Sequence, residues 1–414
     1  MKRVLVISNG CFSLTDSNGR TLAKLFNGYD PQKLAHLHTY GTPDFNVCNN
    51  YYKISDKDAL KSFLTRRPCG GIVKNENKRV EVAPTVGYAR KGKKTPFKMI
   101  LREMVWKFSK CRQGDLIKWL EDFSPEAILL FAGDGAFLMD MASHIAEKFN
   151  IPVTIYTTED YCFKDYNYIT KRKSLFFKVF KKILDKSYKN AERYIKQGFF
   201  NTDMLTDMYA QGFSFPCSCM YARSDMEFKP TYAPVDMTNV RVSYLGNLGL
   251  NRHIPLCDIA DALANIATGA KLDVYGSAKP EVEQALKSNP NIDFKGFVDY
   301  EQVVAIIHNS DLLIHTEYDD PYNLCDLKAA FSTKIPDSIS SGTPLFIYAN
   351  ENLACTDFII KKQCAFVATR KNELEDVLKK ALSSENERRK ILDNAEKVRS
   401  ECFTAESPMI EYFE

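Results

Sequence analysis

Val240-Arg241-Val242-Ser243-Tyr244-Leu245-Gly246-Asn247-Leu248-Gly249-Leu250-Asn251-Arg252 joins a strand-like run to a glycine-punctuated loop. A helical pattern begins directly after it. Leu256, Ile259, Leu263 and Ile266 recur three, four and three apart, the spacing of one buried helix face. The alternation then repeats. A strand is expected over 272–275 and ends at Gly276, and another over 291–297. A helix over 300–309 precedes a strand over 311–315, and a long loop leads to Ser332-Thr333-Lys334, where a helix begins. Gly342-Thr343-Pro344 turns the chain into a strand over 345–348. A further strand over 366–368 is followed by helices to about residue 400. Strands alternating with helices are the signature of a parallel α/β sheet.

The first half carries the same signature. The run 3–8 reads as a buried strand, followed by a polar loop over 9–18 and a helix from Gly19. The stretch 126–132 reads as a strand ended by Gly133-Asp134-Gly135, with a helix over 137–149 and a strand over 152–157. A helix over 174–195 places Phe176, Val179, Phe180, Ile183 and Leu184 on one face. The fold class is therefore α/β, with two Rossmann-like domains facing an interdomain cleft. The expected boundaries are a first domain over 1–222, a linker over 223–239 holding Pro230 and Pro234, a second domain over 240–400, and a tail over 401–414 that packs back on the first domain. Folds of this kind bind ligands beyond the carboxyl ends of their strands, which directs attention to the loops that follow them.

Composition narrows the class. The chain has 414 residues, 45% of them hydrophobic and 26% charged, enough for two or three cored domains and incompatible with disorder as the main state. No apolar run approaches the ~20 residues that span a bilayer. Only four apolar residues follow the basic Lys2-Arg3 start, too few for a secretory signal. A cytoplasmic location is expected. Twelve cysteines contain no Cys-x-x-Cys pair, so they read as small buried apolar residues rather than as zinc ligands or a disulfide framework.

The net charge of +4 is unevenly spread. Arg90, Lys91, Lys93, Lys94, Lys98, Arg102, Lys107, Lys110 and Arg112 face a single acid, Glu103, over 90–112, and a second basic stretch covers 164–196. Such clustering suggests an anionic substrate or surface. The helix over 174–195 either packs its apolar face in the first domain with its lysines in water, or lies against anionic lipid on the inner face of the plasma membrane. No nucleic-acid module is recognisable, so nucleic acid is not an expected partner.

Two loops hold residue types suited to a diphosphate. Gly246, Asn247 and Arg252 combine a close backbone approach with a guanidinium, although the same pattern also describes a tight turn with a solvated arginine. Ser332, Thr333 and Lys334 place hydroxyls and an ammonium at a helix start, and Asp337 lies three residues further on, where a carboxylate can accept from ribose hydroxyls; an ordinary N-cap with a surface lysine is the alternative. Taken together, the two loops fit a sugar nucleotide better than a simple anion. In the first half, Asp134 and Asp160 directly follow expected strands, as acceptor-orienting acids or as helix N-caps.

These residues resemble the family 4-like GT-B glycosyltransferases of bacterial capsule and exopolysaccharide synthesis. The likeness rests on Ser17-Asn18-Gly19-Arg20-Thr21, Asn201-Thr202-Asp203-Met204 with Tyr209, Tyr244-Leu245-Gly246-Asn247-Leu248, and Thr333-Lys334-Ile335-Pro336-Asp337 with Gly342 and Pro344. It implies transfer of a sugar from a nucleoside-diphosphate sugar to a glycan or lipid-linked acceptor, with retained configuration. Arg252 and Lys334 would neutralise the leaving diphosphate without a metal or other cofactor. Asp160 would act at the sugar or acceptor hydroxyl, and Asn18 and Gly19 would line the substrate side. Two departures stand out. Asn247 replaces the family's donor-loop arginine, and Ala329 stands where the first of two paired glutamates belongs. A nucleotide-sugar epimerase of the same fold, or a degenerate sugar-nucleotide-binding subunit, are the competing readings.

Overall fold

A computed structural model of the chain describes residues 1–13, 17–75, 95–164, 174–404 and 406–414. Contacts divide them into two compact units. Unit 1 comprises the described residues up to Tyr221 together with Glu406–Glu414; unit 2 begins at Ala222. The segment read as a linker, 223–239, is counted with unit 2 and has no helix or strand.

Unit 1 is built on an eight-stranded sheet. Its strands are β1 (Val4–Gly10), β2 (Leu34–Tyr40), β3 (Asn50–Lys53), β4 (Gly71–Val73), β5 (Ala127–Phe131), β6 (Val153–Thr157), β7 (Ile195–Phe200) and β8 (Cys217–Cys219), in the order β4-β3-β2-β1-β5-β6-β7-β8. Among the described residues of this sheet, only β3 and β4 pair antiparallel. Every residue of β5 is buried, as expected for a strand covered on both faces. The final residues complete this core: Met409 and Phe413 join the cluster formed by Val4, Leu25 and Leu129, and Ser407 donates to the Leu25 carbonyl at 2.6 Å.

Unit 2 holds six parallel strands: β9 (Val242–Leu245), β10 (Leu272–Tyr275), β11 (Ile292–Gly296), β12 (Leu312–Thr316), β13 (Leu345–Tyr348) and β14 (Phe366–Ala368). Their order is β11-β10-β9-β12-β13-β14, the 3-2-1-4-5-6 arrangement of a doubly wound Rossmann fold. The chain reverses its winding between β9 and β12, which pair with Val242 opposite Leu312. Loops leaving the carboxyl ends of these two neighbours diverge there and leave a crevice. Helix His253–Ile266 buries Leu256, Ile259 and Leu263 against the sheet, the face its spacing predicts, with Ile266 partly buried. Helix Tyr300–Asn309 is started by a capping box between Asp299 and Gln302.

Several local expectations need correction. The helix over 174–195 is Leu175–Glu192, and the chain turns into β7 at Ile195. Its buried face is Phe177, Phe180, Leu184, Tyr188 and Ala191, while Phe176 and Val179 are exposed. The long loop before Ser332 contains a short helix, Pro321–Leu327, started by the Asp320 side chain. Cys325 is exposed, unlike the buried cysteines Cys11, Cys48, Cys111, Cys162, Cys355 and Cys364. Among the described residues, no helix is long and apolar enough to cross a membrane. The basic positions 90, 91, 93 and 94 and the stretch 165–173 lie outside the described residues.

Candidate active site

The unit 2 crevice is organised by one ion pair. Arg252 opens helix His253–Ile266, and Glu317 directly follows β12, so they stand on opposite sides of the winding reversal. Arg252 Nε donates to Glu317 Oε2 at 2.7 Å and Nη2 to Oε1 at 2.8 Å, a two-point fork. The two side chains are only 12% and 6% exposed. Burial opposes the charge on Arg252, but the attraction and hydrogen bonds of Glu317 raise its pKa above the ordinary value.

The turn that delivers Arg252 is strained. Leu250 and Asn251 both adopt left-handed backbone, with φ of 57° and 59°, which costs roughly 1–2 kcal/mol for a residue such as leucine. Buried Asn323, from the helix after β12, donates to the Leu250 carbonyl at 2.8 Å and holds the turn. Asn247 shapes the same loop. Its Oδ1 accepts from the Gly249 amide at 2.7 Å, and its carbonyl accepts from Tyr244 Oη at 2.9 Å and Arg252 Nη1 at 3.2 Å.

Lys334 reaches the same place from the start of helix Lys334–Ser340. The residue is partly buried as a whole, but its ammonium is tucked over Gly246. A Cβ on Gly246 would lie 2.5 Å from Lys334 Nζ and 2.8 Å from Tyr244 Oη. Gly276 crowds the loop from the next strand. Its φ is 151°, and a side chain there would collide with the Gly246 carbonyl oxygen. Desolvation and the nearby Arg252 push the Lys334 pKa down to about 8, with Glu317 opposing. His315, on β12, completes the cluster. It is 6% exposed and its Nε2 lies 3.6 Å from Glu317 Oε1. Burial, then Lys334 and Arg252, push it down to about 3, so it is neutral. Two cations, one carboxylate and a neutral imidazole leave the crevice one positive charge in excess, suited to an anion with two or more oxygens.

The remaining expected site residues separate into groups. Gly246 and Asn247 belong to this cluster. Asp337 accepts from Ser224 Oγ at 2.7 Å. Thr333 precedes the helix without a side-chain capping bond, and Ser332 is partly exposed beside it. In unit 1, Asp134 follows β5 and is partly exposed. Asp160 follows β6, and its Oδ1 accepts from the Phe163 amide at 2.7 Å while burial raises its pKa. Asn18 is exposed on helix Ser17–Leu25. Gly19 has a packing reason: a Cβ there would meet the Cys11 carbonyl at 2.5 Å. Sequence reasoning passed over Glu317, His315 and Asn323. Their signal was position alone, at or just beyond the strand across the winding reversal.

Residues 252–398 match the family model described as glycosyl transferases group 1. The whole chain is similar in fold to HepE of Anabaena, solved in complex with UDP and glucose, with a TM-score of 0.63, 12% identity, and 100% of this chain and 99% of that one covered. It is similar to sucrose-phosphate synthase from Thermosynechococcus elongatus, with a TM-score of 0.61, 10% identity and coverage of 100% and 98%. It is also similar to WaaG, a glycosyltransferase involved in lipopolysaccharide biosynthesis, with a TM-score of 0.54, 12% identity and coverage of 99% and 98%. No curated protein matches the sequence. The fold is that of the GT-B glycosyltransferases, and unit 2 carries a glycosyl transferases group 1 domain. By that domain, the chain is a glycosyltransferase.

Proposed function

We propose that the chain moves a sugar from a nucleoside-diphosphate sugar to a glycan or lipid-linked acceptor in cell-surface polysaccharide synthesis, with retained configuration and without a metal. The observation that carries this reading is the Lys334 ammonium set over Gly246 within the field of Arg252, at the winding reversal of unit 2. The similarity to HepE with bound UDP and to WaaG supports the donor class and the polysaccharide setting.

When the glycosidic bond breaks, negative charge grows on the departing diphosphate. Fixed positive charges in a partly dehydrated crevice stabilise it more than water would. Lys334 supplies an ammonium to one phosphate oxygen, and Arg252, oriented by Glu317, presents its remaining N–H groups. Asp337 serves the ribose, with Ser224 holding its carboxylate. Asp160 and Asp134 act on the acceptor side. Retention rests on the family likeness. Unit 1 takes a peripheral position on an anionic membrane, supported by Leu175, Phe176 and Val179 exposed beside Lys178, Lys182 and Lys186.

A thermal-shift screen of common nucleotide sugars tests the donor class. One donor should raise the melting temperature, and Arg252→Ala and Lys334→Ala should each abolish the shift. Survival of donor binding and turnover in both variants discards the site. Diphosphate release that depends on an acceptor separates transfer from epimerisation.

A further inference from the structure

Unit 1 contains a cavity of about 470 Å³ that none of the foregoing chemistry uses. It lies between helix Ala136–Phe149 and helix Leu175–Glu192, which pack on each other. Asp140, His144 and Glu147 face it from the first helix, at helical spacing. Lys189 and Arg193 face it from the last turn and cap of the second, and Arg112 from the loop before helix Asp115–Phe123. These helices run from the carboxyl ends of β5 and β6 towards the amino ends. The cavity lies along their later portions, away from Asp134 and Asp160 at the strand ends.

Two of its cations form long ion pairs with its acids, and Lys189 faces it in excess. Arg112 stands 3.8 Å from Asp140 and Arg193 3.6 Å from Glu147, both beyond hydrogen-bond length. The Arg252–Glu317 fork, by contrast, closes at 2.7 and 2.8 Å. Arg112 Nε and Nη2 are closed to solvent and make no hydrogen bond. Buried Arg388, a structural arginine, also leaves Nε without an acceptor but donates from its terminal nitrogens to the carbonyls of Ala381, Thr231 and Asp311. Two desolvated N–H groups short of acceptors on Arg112 are costly; being closed to solvent they are not reached from the cavity, and it is the excess of cations facing it that attracts an anion. His144 is kept towards its neutral form by burial and by Arg112, so three full cations oppose two carboxylates. The volume suits a small organic ligand.

We infer that this cavity binds a phosphate group, with Arg112, Lys189 and Arg193 as its ligands. The site is separate from the diphosphate site proposed in unit 2 and does not depend on it. The test is calorimetric titration of inorganic pyrophosphate into the full chain carrying Lys334→Gln, which removes the unit 2 ammonium. One saturable site should remain. Lys189→Gln with Arg193→Gln, both exposed and outside any core, should weaken it at least tenfold, and Arg112→Gln should do the same. Absence of saturable binding in the Lys334→Gln chain, or an affinity within twofold after the double replacement, overturns the inference. Vesicles distinguish the source of the phosphate. Co-sedimentation with phosphatidylglycerol vesicles but not with phosphatidylcholine, lost in the double variant, supports the site with a lipid headgroup as its occupant. Pyrophosphate binding without that loss supports it with a soluble phosphate compound.

Discussion

Arg252 and Glu317, 65 residues apart, close a two-point ion pair across the winding reversal of unit 2, at 2.7 and 2.8 Å and almost out of water. Removing one partner leaves the other charge buried alone, which typically costs about 3–5 kcal/mol. Glu317→Ala and Arg252→Ala should each destabilise unit 2 by that order in chemical denaturation. Arg252→Met combined with Glu317→Leu should recover most of the loss and still fail to bind a nucleotide sugar. A double variant no more stable than the singles would show that the pair acts through something other than its buried charge.

Lys334 titrates at about 8, below the ordinary lysine value, because it is desolvated and faces Arg252. Its ammonium is therefore fully charged only below that pH. Donor affinity should be level up to pH 7 and then fall by up to about tenfold per unit above pH 8. Binding should be accompanied by proton uptake near pH 8, because an arriving diphosphate raises the pKa again. Titrations in buffers of different ionisation enthalpy measure that uptake, and Lys334→Gln should abolish it.

Two glycines of the crevice should behave differently. Gly246→Ala places a methyl against Lys334 Nζ, the movable end of a flexible side chain, and against the tip of the buried Tyr244 ring, which must give by a few tenths of an ångström. Folding should survive while nucleotide binding falls at least tenfold. Gly276→Ala meets the Gly246 backbone in a conformation that L-residues rarely adopt, so unit 2 itself should lose about 1–3 kcal/mol or more. Thermal melting with and without nucleotide separates the two outcomes.

Glu103 is 6% exposed and accepts from the Ala136 and Phe137 amides at 3.1 and 2.8 Å, capping the helix after β5. Burial pushes its pKa up to about 7, more than Arg102 and the two amides pull it down. A carboxyl raised on folding stabilises fully below its unfolded value, near 4.5, and loses that contribution as pH rises through 7. The melting temperature of unit 1 should therefore fall between pH 5 and pH 8. Glu103→Gln should flatten that dependence, at the expense of one helix-end hydrogen bond.

The strands of unit 2 were legible because parallel strands buried on both faces appear as unbroken apolar runs between turn residues. Strands 272–275, 345–348 and 366–368 match the structure to the residue. β2 was harder to see, because His36 and His38 interrupt its apolar residues, yet both imidazoles are buried. β7 was hidden as the end of a helix, since Ile195 continues the apolar spacing of the residues before it. The helix Pro321–Leu327 has only seven residues, too short to show a period.

Local spacing by itself determined the α/β class of both halves, the positions of most strand ends, and the choice of Arg252 and Lys334 as paired cations, because each depends on neighbours a few residues away. Only the tertiary structure decided that Glu317 holds Arg252, that Gly246 makes room for Lys334, and that Arg112 shares a cavity with Lys189 and Arg193. Those relationships join residues tens of positions apart, and the order in which strands enter a sheet, not the chain's local chemistry, sets which side chains share a buried space.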